Sequence, residues 1–446
     1  MLKRLVSSAL SSLDAESEST TGIPAHAPVA DPAEPIRPDA RSPLERFRTA
    51  PKKALSVTDL VSPAWCELQY WYTLTIHGRK VRTEAMKRGS EVHQELEEQI
   101  YTAVKVDIQT KEDAWALRIW NVIQGLHTLR ETGMTRELEI WGTIDGEVVN
   151  GIIDEVSFTC PDTELEEQAE KPAEEAEAEA EEHARSKNEL PPDQKTLSEY
   201  FKQTGAVTLT QTLDKALRRA RRSKPPSRSN KLYITDVKTR SVSSLPRGAA
   251  FRPTKLQLML YHNLLSQLAA NEVDFAILAK RYDLDASAPF SDAFIAQVGS
   301  LDDEVFYDAS SDPSAPSSPA ASEAMSNSLS VLLSHNSLSS LWGLMMQTLA
   351  AVAPAGAGSI GRILTAEYRS RDSGEVIGNH TFVMDEEVLG MYVGHEMGWW
   401  RGERKAQGVV VEEAYKCRSC EFAGGCEWRI KQVEEARGRA RRGWAG

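Results

Sequence analysis

The seven residues "YITDVKT" (233–239) set an acid and a lysine two positions apart inside a run of β-branched and aromatic side chains. Such a run reads as a strand. Side chains alternate across a strand, so Asp236 and Lys238 share a face with Leu232 and Ile234, while Val237 lies on the other. A carboxylate and an ammonium among apolar neighbours form either an ion pair at a sheet rim or part of a reaction centre. One D-x-K does not decide. Upstream, "NGIIDEV" (150–156) carries Asp154 in the preceding strand of a predicted hairpin over 136–158. If the two strands pair, Asp154 and Asp236 converge. Two carboxylates hold Mg²⁺, a hard cation that favours oxygen. Such an ion orients water, lowers its pKa and offsets charge building on a phosphodiester. Lys238 can then position or deprotonate the water, or stabilise the transition state.

Two helical segments extend the set. "RGSEVHQELE" (88–97) places His93 four residues after Gly89 and four before Glu97, on one helix face. A neutral imidazole there can complete a metal shell; a structural histidine is the plainer reading. "KLQLMLYHNLL" (255–265) follows the D-x-K strand and puts Gln257 and Tyr261 at i and i+4. They face substrate or steady Lys238, or else belong to an amphipathic helix with Leu256, Met259, Leu260 and Leu264 as its core stripe.

"KCRSCEFAGGC" (416–426) holds three of the five cysteines, Cys417, Cys420 and Cys426. A structural zinc or a four-iron cluster takes four ligands. No further Cys or His follows in the last fifty residues, so a fourth must come from upstream. Five cysteines make no disulfide framework, which fits a reducing compartment.

The chain has 446 residues, 41% of them hydrophobic, without an apolar run of eighteen, so nothing is expected to span a membrane. The net charge of −13 is unevenly placed: residues 164–182 hold ten Glu against one Lys, whereas 215–231 hold eight Lys or Arg and no acid. A nearly neutral body with a basic segment suits a polyanion, although two solvated charge runs account for these stretches as well. Residues 1–50 are expected to be disordered, with 1–13 as a possible mitochondrial presequence. Residues 54–160 and 231–430 form one domain of mixed helices and strands. Residues 161–229 read as a disordered acidic and basic insertion, 302–330 as a Ser/Pro-rich one, and 431–446 as a basic tail. Thr58 or Asp59 is expected to cap the helix near 59.

The order of these motifs resembles the RecB-like branch of the PD-(D/E)XK nucleases, and most closely the eukaryotic exonuclease V (defects-in-morphology) family. "LSVTDLVSPAWCELQYWY", "RGSEVHQELE", "GIIDEV", "ITDVKTR", "QLMLYHNLL" and "YKCRSCEFAGGCEWR" carry the likeness, which covers residues 54–430 outside the insertions. It implies an α/β PD-(D/E)XK core, a central mixed sheet flanked by helices, with an iron–sulfur cluster joining its N- and C-terminal parts. It implies a [4Fe–4S] cluster on Cys66, Cys417, Cys420 and Cys426, leaving Cys160 as the odd thiol; spacing alone does not exclude zinc. It implies Mg²⁺-dependent exonuclease action on single-stranded DNA, with His93, Asp154 and Asp236 on the metal; a monomer is expected. Asp154, Asp236, Lys238, Gln257 and Tyr261 are then the catalytic set. Fungal members suggest a mitochondrial protein engaged in genome maintenance and DNA repair. Tyr70, Trp71, Tyr72, Trp399 and Trp400 are read mostly as core, with one or two of them at most as base-stacking platforms, and Arg401 and Arg404 as candidate phosphate contacts.

"QKTLSEYF" (194–201) follows the Q-x-x-L-x-x-Y-F pattern of peptides that dock on the sliding clamp, through Gln194, Leu197, Tyr200 and Phe201. Such docking needs a nuclear pool. Two further classes stay open: a non-catalytic iron–sulfur or zinc nucleic-acid binder, which has no use for Asp154, Asp236 and Lys238, and the nuclease subunit of a helicase complex. The chain carries no G-x4-G-K-[ST] loop of its own.

Overall fold

The computed structural model describes residues 2–7, 39–80, 84–98, 101–169, 231–300 and 328–443. The strands are β1 (Leu2–Ser7), β2 (Leu55–Ser56), β3 (Tyr101–Val106), β4 (Met134–Ile144), β5 (Glu147–Ser157), β6 (Leu232–Arg240), β7 (Ile360–Ser370) and β8 (Val376–Val383). The helices used below are α1 (Val57–Val61), α2 (Glu67–His77), α3 (Glu84–Glu98), α4 (Lys111–Thr132), α5 (Arg252–Ala269), α6 (Leu338–Val352), α7 (Glu386–Trp400) and α8 (Glu427–Gly443).

Six strands form one mixed sheet, in the order β2-β5-β6-β7-β8 with β4 on the other edge of β5. The two predicted hairpins are present, β4/β5 and β7/β8, both antiparallel. β6 is antiparallel to β5 and parallel to β7. A parallel pair needs a crossover, and the chain between β6 and β7 supplies it with α5 and α6. α5 lies along β4, β6 and β7, and α4 packs between β4 and α6. The buried face of α5 includes the predicted stripe of Leu256, Met259, Leu260 and Leu264. Gly142 and Gly151 let α5 come close: a Cβ on Gly151 would stand 2.8 Å from the Tyr261 ring and 2.9 Å from Val57.

Several segments differ from the sequence reading. β1 is ordered: it pairs in parallel with β3, Leu5 is buried, and both main-chain polar groups of Leu5 bond the Asn121 side chain. A short helix stands at Pro43–Phe47. Disorder across 1–50 therefore does not hold for these parts. Residues 163–169 are helical, and Glu166 accepts from Tyr233 and Lys231, so the insertion departs from the body later than position 161. Ser328–Ser334 is helical, and the basic tail continues α8. The α1 cap is Ser56, with Asp59 at the third helical position reaching back in a capping box. The clamp-type peptide at 194–201 lies outside the described residues. No helix among the described residues is long and apolar enough to cross a membrane.

Candidate active site

β5 shares one of its edges between two partners. β2 pairs with it at Val149 and Asn150, and β6 at Glu155–Ser157. The stretch between them is left open on that edge, and Asp154 sits at its end. The next rung of the β5/β6 ladder would join Asp154 to Asp236, but the strands part there. The Asp154 side chain takes over instead: its Oδ2 accepts from the Val237 main-chain N–H at 2.7 Å. This substitution satisfies the amide and fixes the carboxylate between the strands.

On the other edge of β5 the same rung is also broken. Arg136 and Leu138 of β4 pair with Glu155 and Ile153, but Glu137 and Asp154 between them do not pair. Glu137 has φ of +52°, the left-handed region. For a residue with a Cβ this costs roughly 1–3 kcal/mol and persists where surroundings impose it. Three acids thus stand on one rung of adjacent strands: Glu137, Asp154 and Asp236. Glu137 was not among the residues singled out in the sequence. Its only signal was its place in "RELEIWG", opposite Asp154 once the hairpin register is drawn.

His93 comes to this row from α3. Its Nδ1 lies 3.5 Å from Glu137 Oε1 and 3.7 Å from Asp154 Oδ1, and its Nε2 is 3.0 Å from the Val237 carbonyl. A proton on Nε2 donates to that carbonyl and leaves the Nδ1 lone pair facing the carboxylates, the usual arrangement of a metal-bound imidazole. Burial pulls the His93 pKa down, but Glu137 and Asp154 outweigh it, and the net direction is up. Burial, then the charge of Asp236, push Asp154 up to about 7. A ligand atom each from His93, Glu137 and Asp154 lies within 4.8 Å of the others.

Asp236 is fully buried. Lys238 Nζ donates to its Oδ1 at 2.9 Å; Oδ2 is 2.8 Å from the same nitrogen, off hydrogen-bond geometry, and has no other donor. Burial lowers the Lys238 pKa, but Asp236 and Asp154 more than offset this, so the ammonium stays charged. On α5, Gln257 Nε2 donates to the Tyr261 hydroxyl at 2.8 Å. Burial, then Asp154 and Asp236, raise the Tyr261 pKa well above its ordinary value, which keeps the phenol neutral. The structure therefore brings His93, Asp154, Asp236, Lys238, Gln257 and Tyr261 to one place and adds Glu137. Crowded carboxylates, an aimed imidazole and an orphaned buried oxygen are the donor set a divalent cation fits.

Cys66, Cys417, Cys420 and Cys426 line a single pocket, together with Tyr72, Phe422 and Trp428. Cys66 is the N-cap of α2, and the other three flank the turn before α8. None is in a disulfide. Burial and the neighbouring cysteines raise the Cys66 and Cys417 pKa values. Four cysteines converging on one pocket are the donor set of a cationic group held by thiolates. Cys160 is apart from them, near Glu166 and Tyr233.

Most of the aromatic candidates pack into the body, and both arginine candidates have internal ion-pair partners, although Arg401 stays exposed. Tyr70, Trp399 and Trp400 are buried, and Trp71 packs edge-on against Trp399. Tyr72 packs on Phe422 beside the thiols. Arg401 pairs with Asp145, and Arg404 forks onto both oxygens of Glu67 at 2.6 and 2.8 Å. Glu67, His395 and Glu396 form a second group of possible ligands. Arg404 and the Gln407 amide already occupy Glu67 there, which ties the loop after α7 to the residue following Cys66.

A family model described as "Exonuclease V - a 5' deoxyribonuclease" matches residues 42–429. Exonuclease V of Danio rerio is 23% identical over 391 residues, which are 87% of this chain and 73% of that protein.

Proposed function

The chain belongs to the exonuclease V family, and from that premise we propose a divalent-metal-dependent exonuclease that degrades single-stranded DNA from its 5′ ends. The observation that carries the chemistry is the broken rung: three acids and an imidazole meet where β4, β5 and β6 cease to pair. A purely nucleic-acid-binding module has no use for so costly a cluster. Asp154, Asp236, Glu137 and His93 would hold Mg²⁺, which supplies a polarised phosphate and a more acidic water. Lys238, held by Asp236, places its charge where the phosphodiester gains charge and where the attacking water must lie. Tyr261, neutral and bonded by Gln257, offers a hydroxyl dipole beside Asp154 and Asp236. The arrangement is that expected of a PD-(D/E)XK core.

Cys66, Cys417, Cys420 and Cys426 would hold a [4Fe–4S] cluster, the group expected from the family resemblance; four thiols round one pocket are also the donor set of a structural zinc. Work in mitochondria, and a nuclear pool bound to the sliding clamp through 194–201, are parts of the proposal carried by the sequence alone; imaging of the tagged chain with Leu197→Ala and Phe201→Ala tests them.

The deciding experiment digests end-labelled single- and double-stranded DNA with Mg²⁺ or EDTA, comparing wild type with Asp236→Ala. Cutting of single strands by the wild type alone, with DNA still bound by the variant, is expected. Equal cutting by both proteins overturns the assignment.

A further inference from the structure

β1 lies outside the span matched by the family model, which begins at residue 42. It nevertheless touches the catalytic row. Arg4 Nη2 donates to the main-chain carbonyl of Glu137 at 3.1 Å, and Arg4 Nη1 pairs with Glu97 at 2.8 Å. Glu97 is the acid one helical turn after His93, and its pKa is raised by burial and by the charge of Glu137, with Arg4 acting against both. One guanidinium therefore bridges α3, which carries His93, to the strained peptide of Glu137. Its strand is held in turn by β3 and by Asn121 of α4, which bonds both polar groups of Leu5. We propose that Arg4 is a positioning residue for the metal centre: it fixes the left-handed turn at Glu137 and the distance between Glu137 and His93.

The reasoning is that of an outer-shell ligand partner. Glu137 reaches His93 and Asp154 from a backbone conformation that its neighbours must impose. The Arg4 fork reaches the Glu137 main chain from outside the sheet and carries charge. A forked, planar cation can hold a carbonyl and a carboxylate together, which a lysine does less well. Loss of an outer-shell partner typically weakens metal binding about 10- to 100-fold. Residues 2–7 then belong to the working enzyme.

This rests on the catalytic reading above, and the test separates the two. Full-length wild type, Arg4→Met and Arg4→Lys are titrated with Mn²⁺ by calorimetry without DNA, and the Mg²⁺ midpoint for single-strand cutting is measured alongside. Arg4→Met should weaken Mn²⁺ binding and raise the Mg²⁺ midpoint by about tenfold, with a nearly wild-type rate at saturating Mg²⁺. Arg4→Lys should recover part of the affinity. Wild-type Mn²⁺ affinity in Arg4→Met overturns the proposal for Arg4 alone, as does a rate loss that excess Mg²⁺ fails to restore. Absence of Mn²⁺ binding by the wild type overturns it together with the catalytic reading.

Discussion

Asp154→Asn should make the protein more stable in EDTA while abolishing its chemistry. The Asp154 carboxyl is pushed from 3.8 to about 7 by burial and by Asp236. An acid whose folded pKa lies above its unfolded one keeps a proton in the fold that it releases on unfolding. Its cost to stability is absent below about pH 4, grows as the pH climbs, and is complete above about pH 7. At ~1.4 kcal/mol per tenfold, the full penalty is ~4 kcal/mol. Asparagine carries no charge to desolvate, and its Oδ1 can still accept the Val237 N–H. The penalty already nets the bond made by the charged form, so the expected gain is ~3–4 kcal/mol at pH 8 and shrinks as the pH falls, vanishing near pH 4, where the carboxyl is protonated both folded and unfolded. Urea unfolding in EDTA at three pH values measures it. Mg²⁺ at pH 8 should then stabilise the wild type and leave the variant unmoved. A variant less stable than wild type at pH 8, or a difference that ignores pH, refutes the account of the row as a cluster of unrelieved charge.

Three further outcomes are expected. Lys238→Met should slow cutting by ~10²-fold or more with DNA affinity far less affected, and should weaken the fold in EDTA because Asp236 is then buried without its cation; single-turnover rates and binding isotherms check this. Cys66→Ser should cost the purified protein its brown colour and broad visible absorbance and loosen residues 411–443, seen as faster proteolysis there; a colourless wild type with bound zinc would show the pocket to hold a different group. Gly151→Ala drives a methyl into the Tyr261 ring, 2.8 Å away, so a loss of about 1–3 kcal/mol together with a lowered rate is expected from melting curves and initial velocities.

What could be read beforehand was whatever repeats locally. The strand with D-x-K, the two hairpins, the α5 stripe and the i, i+4 pair of Gln257 and Tyr261 depend on spacing within one element. Cys66 was reached through resemblance, and the structure sets it in the same pocket as the terminal thiols. What escaped depends on registers between elements. Glu137 acquires meaning only when β4 is aligned with β5 and its backbone turns left-handed, and neither fact is written in "RELEIWG". Residues 1–13 read as a leader from Lys3, Arg4 and several Ser, a pattern that says nothing of strand pairing. The partner strand of β1 lies about a hundred residues away, and only that pairing buries Leu5. Trp399 and Trp400 took the core reading of the two the sequence allowed them: residue types that bind DNA also build cores and internal ion pairs, and composition does not separate the two uses.

The parting of β5 and β6 leaves the Val237 amide proton owned by a side chain rather than by a neighbouring strand. Its magnetic resonance frequency and its rate of deuterium uptake should follow the electron density on one carboxylate. A cation drawing on Asp154, or a proton landing there, would move that signal while the amides of the intact ladder stay still. The molecule thus carries, in one backbone group, its own gauge of whether the reaction centre is charged and ready.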